Sequence, residues 1–143
     1  MFSPVLAATQ FSLDYFELRK GPLDDALAED VIFSVDAEIC EPGTDPQHFE
    51  AKFEGRDSVI SSLTARHFAI TTKIDLKNLN CTKLDKDRVK VKFISIETKK
   101  EAEDKDPITY KYTGHYNLGF ARGEEGLLVK EIALTNRREN LQS

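Results

Sequence analysis

Leu27-Ala28-Glu29-Asp30-Val31-Ile32-Phe33, with Phe53-Glu54-Gly55-Arg56-Asp57 further along, is the pair of stretches on which the fold turns. From Val31, the residues Val31, Phe33, Val35, Ala37 and Ile39 alternate with Ile32, Ser34, Asp36, Glu38 and Cys40. That period of two predicts a strand with one buried face and its acids on the other. Pro42-Gly43-Thr44-Asp45-Pro46 is a loop, and Phe49, Ala51 and Phe53 alternate inward on the returning strand. Past Gly55, Asp57 can cap a helix whose apolar stripe is Val59, Ile60, Leu63 and His67. On the N-terminal side, Ser3-Pro4 is a helix start, and Val5, Ala8, Phe11, Ser12, Tyr15 and Leu18 recur every three or four residues. Gly21-Pro22 ends that helix and opens a short second one through Leu23, Ala26 and Leu27.

Beyond the third helix everything reads as sheet. Ile70, Thr72, Ile74, Leu76, Asn78, Asn80, Thr82 and Leu84 share one parity, the turn Asp85-Lys86-Asp87-Arg88 follows, and Val89, Val91, Phe93 and Ser95 return. Setting Leu84 opposite Val89 places Asn80 against Phe93 and Leu79 against Ile94; a slip by one would move each to the wrong face. Residues 99–107 form a charged loop, after which Ile108, Tyr110, Tyr112, Gly114, Tyr116, Leu118 and Phe120 share a face. Gly123-Glu124-Glu125-Gly126 turns the chain into a closing strand, Leu127 to Thr135, and residues 136–143 are expected to be a flexible tail. Helices first and strands afterwards predict an α+β domain.

A chain of 143 residues fits one domain, 1–143, and buries roughly 70% of its unfolded surface, enough for a core. Its 40% hydrophobic and 31% charged residues are ordinary for a globular protein. The net charge of −5, with Lys and Arg dispersed, argues against nucleic acid, because phosphate binding depends on clustered cations. Cys40 and Cys81 lack CxxC spacing, so they read as reduced thiols. No secretory leader and no apolar run of ~20 residues is present, so the sequence predicts no membrane contact and a cytoplasmic protein, with nuclear access open.

With these elements in order, the chain resembles the nuclear transport factor 2-like superfamily, also called the cystatin-like α+β barrel group. The likeness runs from about Phe11 to Thr135 and rests on Tyr15-Phe16, Leu27 to Phe33, Phe53 to Ile60, Asp106-Pro107-Ile108 and Val129 to Leu134. It implies a cone: a curved mixed sheet, mostly antiparallel, wrapped around the N-terminal helices. The superfamily includes ketosteroid isomerases, polyketide-cyclase-like enzymes, dehydratases, transport factors and assembly domains, so fold alone leaves function open.

An isomerase of this group needs a pocket-facing carboxylate base on the first strand, and a second acid with a Tyr hydroxyl for the enolate oxygen. The resemblance places the Tyr at Tyr15, the base at Val35 and the second acid at Gly114, so both carboxylates are missing. Asp36, next to the base position, faces away unless a bulge turns it inward. His48, His67 and His115 have no metal-ligand spacing, and neither a metal nor a cofactor is predicted. Tyr15, Val35, Asn78, Asn80, Ser95 and Gly114 are the candidate lining of a pocket for a small apolar ligand. Leu79, Ile94 and Ile96, among Lys77, Lys90 and Lys92, form a candidate homodimer or protein-partner face. The expected function is a non-catalytic binding or assembly domain. The first alternative is a small-molecule enzyme of isomerase, cyclase or dehydratase type, which needs an enclosed pocket of about 300 Å3 and an ionisable group within it. A nuclear-transport adaptor is the second.

Overall fold

The computed structural model describes residues 3–17, 19–64, 71–100, 102–124 and 126–141. Its elements run α1 (Pro4–Phe16), α2 (Lys20–Ala26), β1 (Leu27–Cys40), β2 (Gln47–Glu54), α3 (Arg56–Leu63), β3 (Thr71–Asp85), β4 (Arg88–Lys100), β5 (Ile108–Arg122) and β6 (Leu127–Asn140). One curved, unclosed sheet has the order β2-β1-β6-β5-β4-β3. Only β1 and β6 run parallel; every other neighbour is antiparallel. This is the α+β cone that the element order predicts. No described helix is long and apolar enough to cross a membrane.

The two stretches that open the sequence reading meet in space. The Gly55 amide donates to the Val31 carbonyl at 2.8 Å, and Arg56 Nε donates to the Leu27 carbonyl at 3.1 Å, so the start of α3 is pinned to the start of β1. Gly55 takes the N-cap position at φ 91°, a left-handed conformation that favours glycine. Asp57 lies inside the first turn of α3, not at its cap. At α1 the Ser3 hydroxyl does accept from the Leu6 amide. The break between the first two helices comes earlier than expected: α1 stops at Phe16, and α2 holds Gly21 and Pro22 in its first turn. Pro22 is tolerated there because a helix's first amides have no intrahelical acceptor. Leu18 and His67 lie outside the described residues.

Ala8, Phe11 and Phe16 of α1, Leu23 of α2, and Val59, Ile60 and Leu63 of α3 pack on the inner face of the sheet against Val31, Phe33, Val89, Val91, Leu118, Ile132 and Leu134. Each such large side chain adds about 1.5–3 kcal/mol by leaving water. Phe49, which the alternation places inside, is half exposed near the start of β2. Nor are residues 136–140 a tail: Asn136–Asn140 pair with Tyr110–Gly114 of β5 and, up to Glu139, with Ala37–Cys40 of β1.

A second revision concerns β3. Leu76 opposes Ser95 and Asn78 opposes Ile94, leaving Lys77 as an extra residue in the strand. This bulge switches the inward parity from Ile74 and Leu76 to Leu79 and Cys81, all four of which touch the core. Leu79 faces Phe93, one residue away from the expected pairing, because a second register shift between Lys83 and Asp85 leaves Leu84 without a partner in the ladder and sets Lys83 opposite Val89.

Candidate active site

Cross-strand pairing sorts the inner face into rows, because opposed residues share a face. Near the helices the rows are apolar: Val89, Leu118, Ile132, Phe33 and Phe53, then Val91, Tyr116, Leu134, Val35 and Ala51. A transition row follows, Leu79, Phe93, Gly114, Asn136 and Ala37. Two polar rows complete the face: Leu76, Ser95, Tyr112, Arg138 and Ile39, then Ile74, Glu97, Tyr110 and Asn140. Ser95 is fully buried and Glu97 is 2% exposed. Lys99 Nζ lies 4.0 Å from Glu97 Oε1 and 5.9 Å from the centre of the Tyr112 ring. The Arg138 guanidinium stacks 4.5 Å over Tyr110 and donates to Glu41 Oε1 at 3.1 Å, while Asn140 Nδ2 donates to Glu41 Oε2 at 2.9 Å. That bracket holds the Tyr110 ring in place. Ser95 Oγ and Asn136 Oδ1 are buried without a hydrogen-bond partner among the described residues, an arrangement that a bound polar ligand would relieve.

Among the expected pocket residues, Tyr15, Val35, Ser95 and Gly114 face inward. Tyr15 packs edge-to-face on Tyr116 at 6.4 Å and on Phe16 at 5.0 Å. Tyr116 in turn donates its hydroxyl hydrogen to Ser12 Oγ, which donates to the Ala8 carbonyl at 2.7 Å. Asn78 and Asn80 do not line the interior. The Lys77 bulge turns both to the exposed outer face, opposite Ile94 and Lys92. The same bulge takes Leu79 off the proposed partner face and into the core, so Ile94 and Ile96 remain there without it. Asp36 stays outside, since β1 and β2 pair without a shift from Ile32 to Ile39. The cavity bounded by Phe11, Tyr15, Phe33, Leu63, Tyr116, Ile132 and Leu134 leaves only ≈ 10 Å3 for a water-sized sphere. The apolar end of the cone is filled, so the enclosed pocket of about 300 Å3 that the enzyme alternative calls for is not found there; the polar groups lie beyond it.

Sequence reasoning missed Glu97, Asn136 and Arg138 because it followed the inward parity of β4 only to Ser95 and ended β6 at Thr135. Carrying the same alternation two residues further reaches Glu97, and the parity of Ile132 and Leu134 leads to Asn136 and Arg138. It also missed a cluster on the outer face. Asp36 opposes Glu50 across β1 and β2, and His48 lies two residues before Glu50 on the same face. His48 Nε2 is 3.0 Å from Asp36 Oδ1 and 3.1 Å from Glu50 Oε1. A hydrogen bond to Glu50 and then the charge of Asp36 hold the imidazole pKa above 6.5. His115 shifts the other way, lowered by burial and by Lys90 and Lys92.

No protein-family model and no curated protein matches the chain. Solved structures do match. A candidate polyketide cyclase from Pseudomonas putida aligns over 95% of this chain and 91% of its own, with TM-score 0.68 and 11% identity. An NTF2-like protein from Burkholderia xenovorans aligns over 93% and 88%, with TM-score 0.61 and 16% identity. The chain has the NTF2-like fold. A hexachlorocyclohexane dehydrochlorinase from Novosphingobium barchaimii shares that fold over 92% of this chain and 81% of its own, with TM-score 0.58 and 10% identity. Most of these NTF2-like neighbours bear the names of enzymes, which overturns the expectation of a non-catalytic binding or assembly domain in favour of the enzyme alternative.

Proposed function

We propose that this NTF2-like chain is a small-molecule enzyme of the isomerase, cyclase or dehydratase type, working from the polar rows of its inner sheet face. The observation that carries the reading is Glu97, a carboxylate 2% exposed on that face, with Ser95, Tyr110 and Tyr112 around it. Withdrawn from water, such a group is well placed for proton transfer. It takes the proton from a carbon next to a carbonyl, and the C–H electron pair moves onto the carbonyl oxygen as an enolate. A phenolic O–H, from Tyr112 or Tyr15, donates to that oxygen. The enolate then collapses in one of three ways: where a C=C adjoins the α-carbon, reprotonation at the far carbon of the resulting dienolate; loss of a β-hydroxyl as water with a proton returned by the site; or attack on a second carbonyl. All three share the first step, which is why one fold can serve each.

That first step can be read without knowing the product. Carbonyl compounds bearing an acidic C–H are incubated with the protein in deuterium oxide and followed by NMR. Deuterium should enter the α-carbon at least ~100-fold faster with wild type than with Glu97→Gln, the scale of a positioned acid–base group. Equal rates in the two proteins would refute the assignment.

A further inference from the structure

We propose that the outer face of β1 and β2 carries a site for a divalent transition-metal ion, with Asp36, His48 and Glu50 as its ligands. The register creates it: Asp36 opposes Glu50, and a strand repeats its face every two residues, so His48 and Glu50 look the same way. One ligand atom from each lies within 4.8 Å of the other two.

The distances suit a metal of zinc size. Ligands at ~2.0–2.1 Å in a tetrahedron stand roughly 3.3–3.4 Å apart. The two nitrogen–oxygen edges are already 3.0 and 3.1 Å, so an ion enters after a displacement of a few tenths of an ångström. One ring nitrogen with two carboxylate oxygens selects ions such as Zn2+, Co2+ or Ni2+ over Mg2+ and Ca2+. Glu38 is not counted as a ligand, since it accepts from Cys40 at 3.5 Å and lies 3.9 Å from Arg137.

All three side chains are exposed and open to an ion from solvent. Asp36 and Glu50 also line a groove of ≈ 480 Å3 that continues over Ser34, Ala51, Ala133 and Thr135, with Lys52 at its wall. A metal held at these carboxylates keeps its open positions towards that groove, where water or an anionic ligand can complete the coordination.

The test is a zinc titration of the tag-free full chain against a chromophoric chelator, with Cys40→Ser and Cys81→Ser in the background so that thiols take no part. One Zn2+ per chain should bind, and His48→Ala and Asp36→Asn should each weaken it at least ~10-fold. Zinc should also raise the melting temperature of the background protein and not of either variant. Because the altered side chains are exposed, circular dichroism should be unchanged in both. Zinc binding of equal strength in His48→Ala, no binding at a 1:1 ratio, or equally tight binding of Mg2+ would each overturn the proposal.

Discussion

Gly114→Ala offers the most direct check on the geometry of the inner face. A methyl group built on Gly114 would lie 2.3 Å from the Thr135 carbonyl oxygen, 2.7 Å from Asn136 Cα and 2.8 Å from Asn136 Cβ, whereas ordinary contact begins near 3.4 Å. The obstructing atoms belong mainly to backbone, so β6 itself must retreat by about 1 Å, at a cost near 3 kcal/mol or above, the upper range for overpacking. β6 sits between β1 and β5 and is held on both sides, which leaves it little freedom to move. For a chain of this length the loss corresponds to a fall in melting temperature of roughly 10 °C. Urea unfolding followed by circular dichroism measures it, with Gly21→Ala as the control. Beyond its chain neighbours a methyl group there meets nothing within 4 Å, and Pro22 directly after it offsets the usual helix gain, so the change should stay within about 1 kcal/mol of wild type. If Gly114→Ala stayed within about 0.5 kcal/mol of wild type, the close approach of β5 and β6 would be refuted. The result bears on chemistry too, since a position closed to a methyl group cannot hold the second acid that the family resemblance assigns to it. A carboxylate for this cone has to come from elsewhere on the face, as Glu97 does.

Other consequences can be measured separately. Tyr116→Phe removes the buried bond to Ser12 and should cost about 1 kcal/mol in urea unfolding, the usual net worth of one such bond. Leu79→Ala should destabilise by about 1–2 kcal/mol while Asn80→Ala stays within about 0.5 kcal/mol, and the reverse order would show that the Lys77 bulge is misplaced. In a proton NMR titration His48 should have its midpoint above 6.5 and His115 below it. The signs for stability are opposite. His48 contributes fully below its unfolded value and loses that contribution as pH rises through its raised folded value. His115 binds its proton less readily when folded, so stability falls as pH drops below about 6.5.

Much of the fold was legible because alternation and helical spacing report burial directly: Val31 to Ile39 and the α1 stripe through Phe11 keep their period throughout. The errors arise where period or length changes. In β3 the apolar residues Ile74, Leu76, Leu79 and Cys81 contain one step of three, the mark of an inserted residue, but a strict period of two through Asn78 and Asn80 conceals it. Arg138 was lost for another reason: charged residues at a strand end resemble a tail, although the cone's polar rows are built from them. Glu97 was passed over because a charged residue is not expected on an inward parity. The Asp36, His48 and Glu50 cluster depends on cross-strand register. No spacing along the chain announces it.

The order of the sheet puts β2 and β3 at its edges, each with one side that pairs with no strand among the described residues, an open row of amides and carbonyls that could recruit a strand from another molecule. Lys73, Lys77 and Lys83 are exposed along β3, and the extra residue at Lys77 breaks its regular hydrogen-bonding repeat. His48, Glu50, Lys52 and Glu54 similarly charge β2. The protein should accordingly resist fibre formation at high concentration, and neutralising the β3 lysines should be the quickest way to remove that resistance.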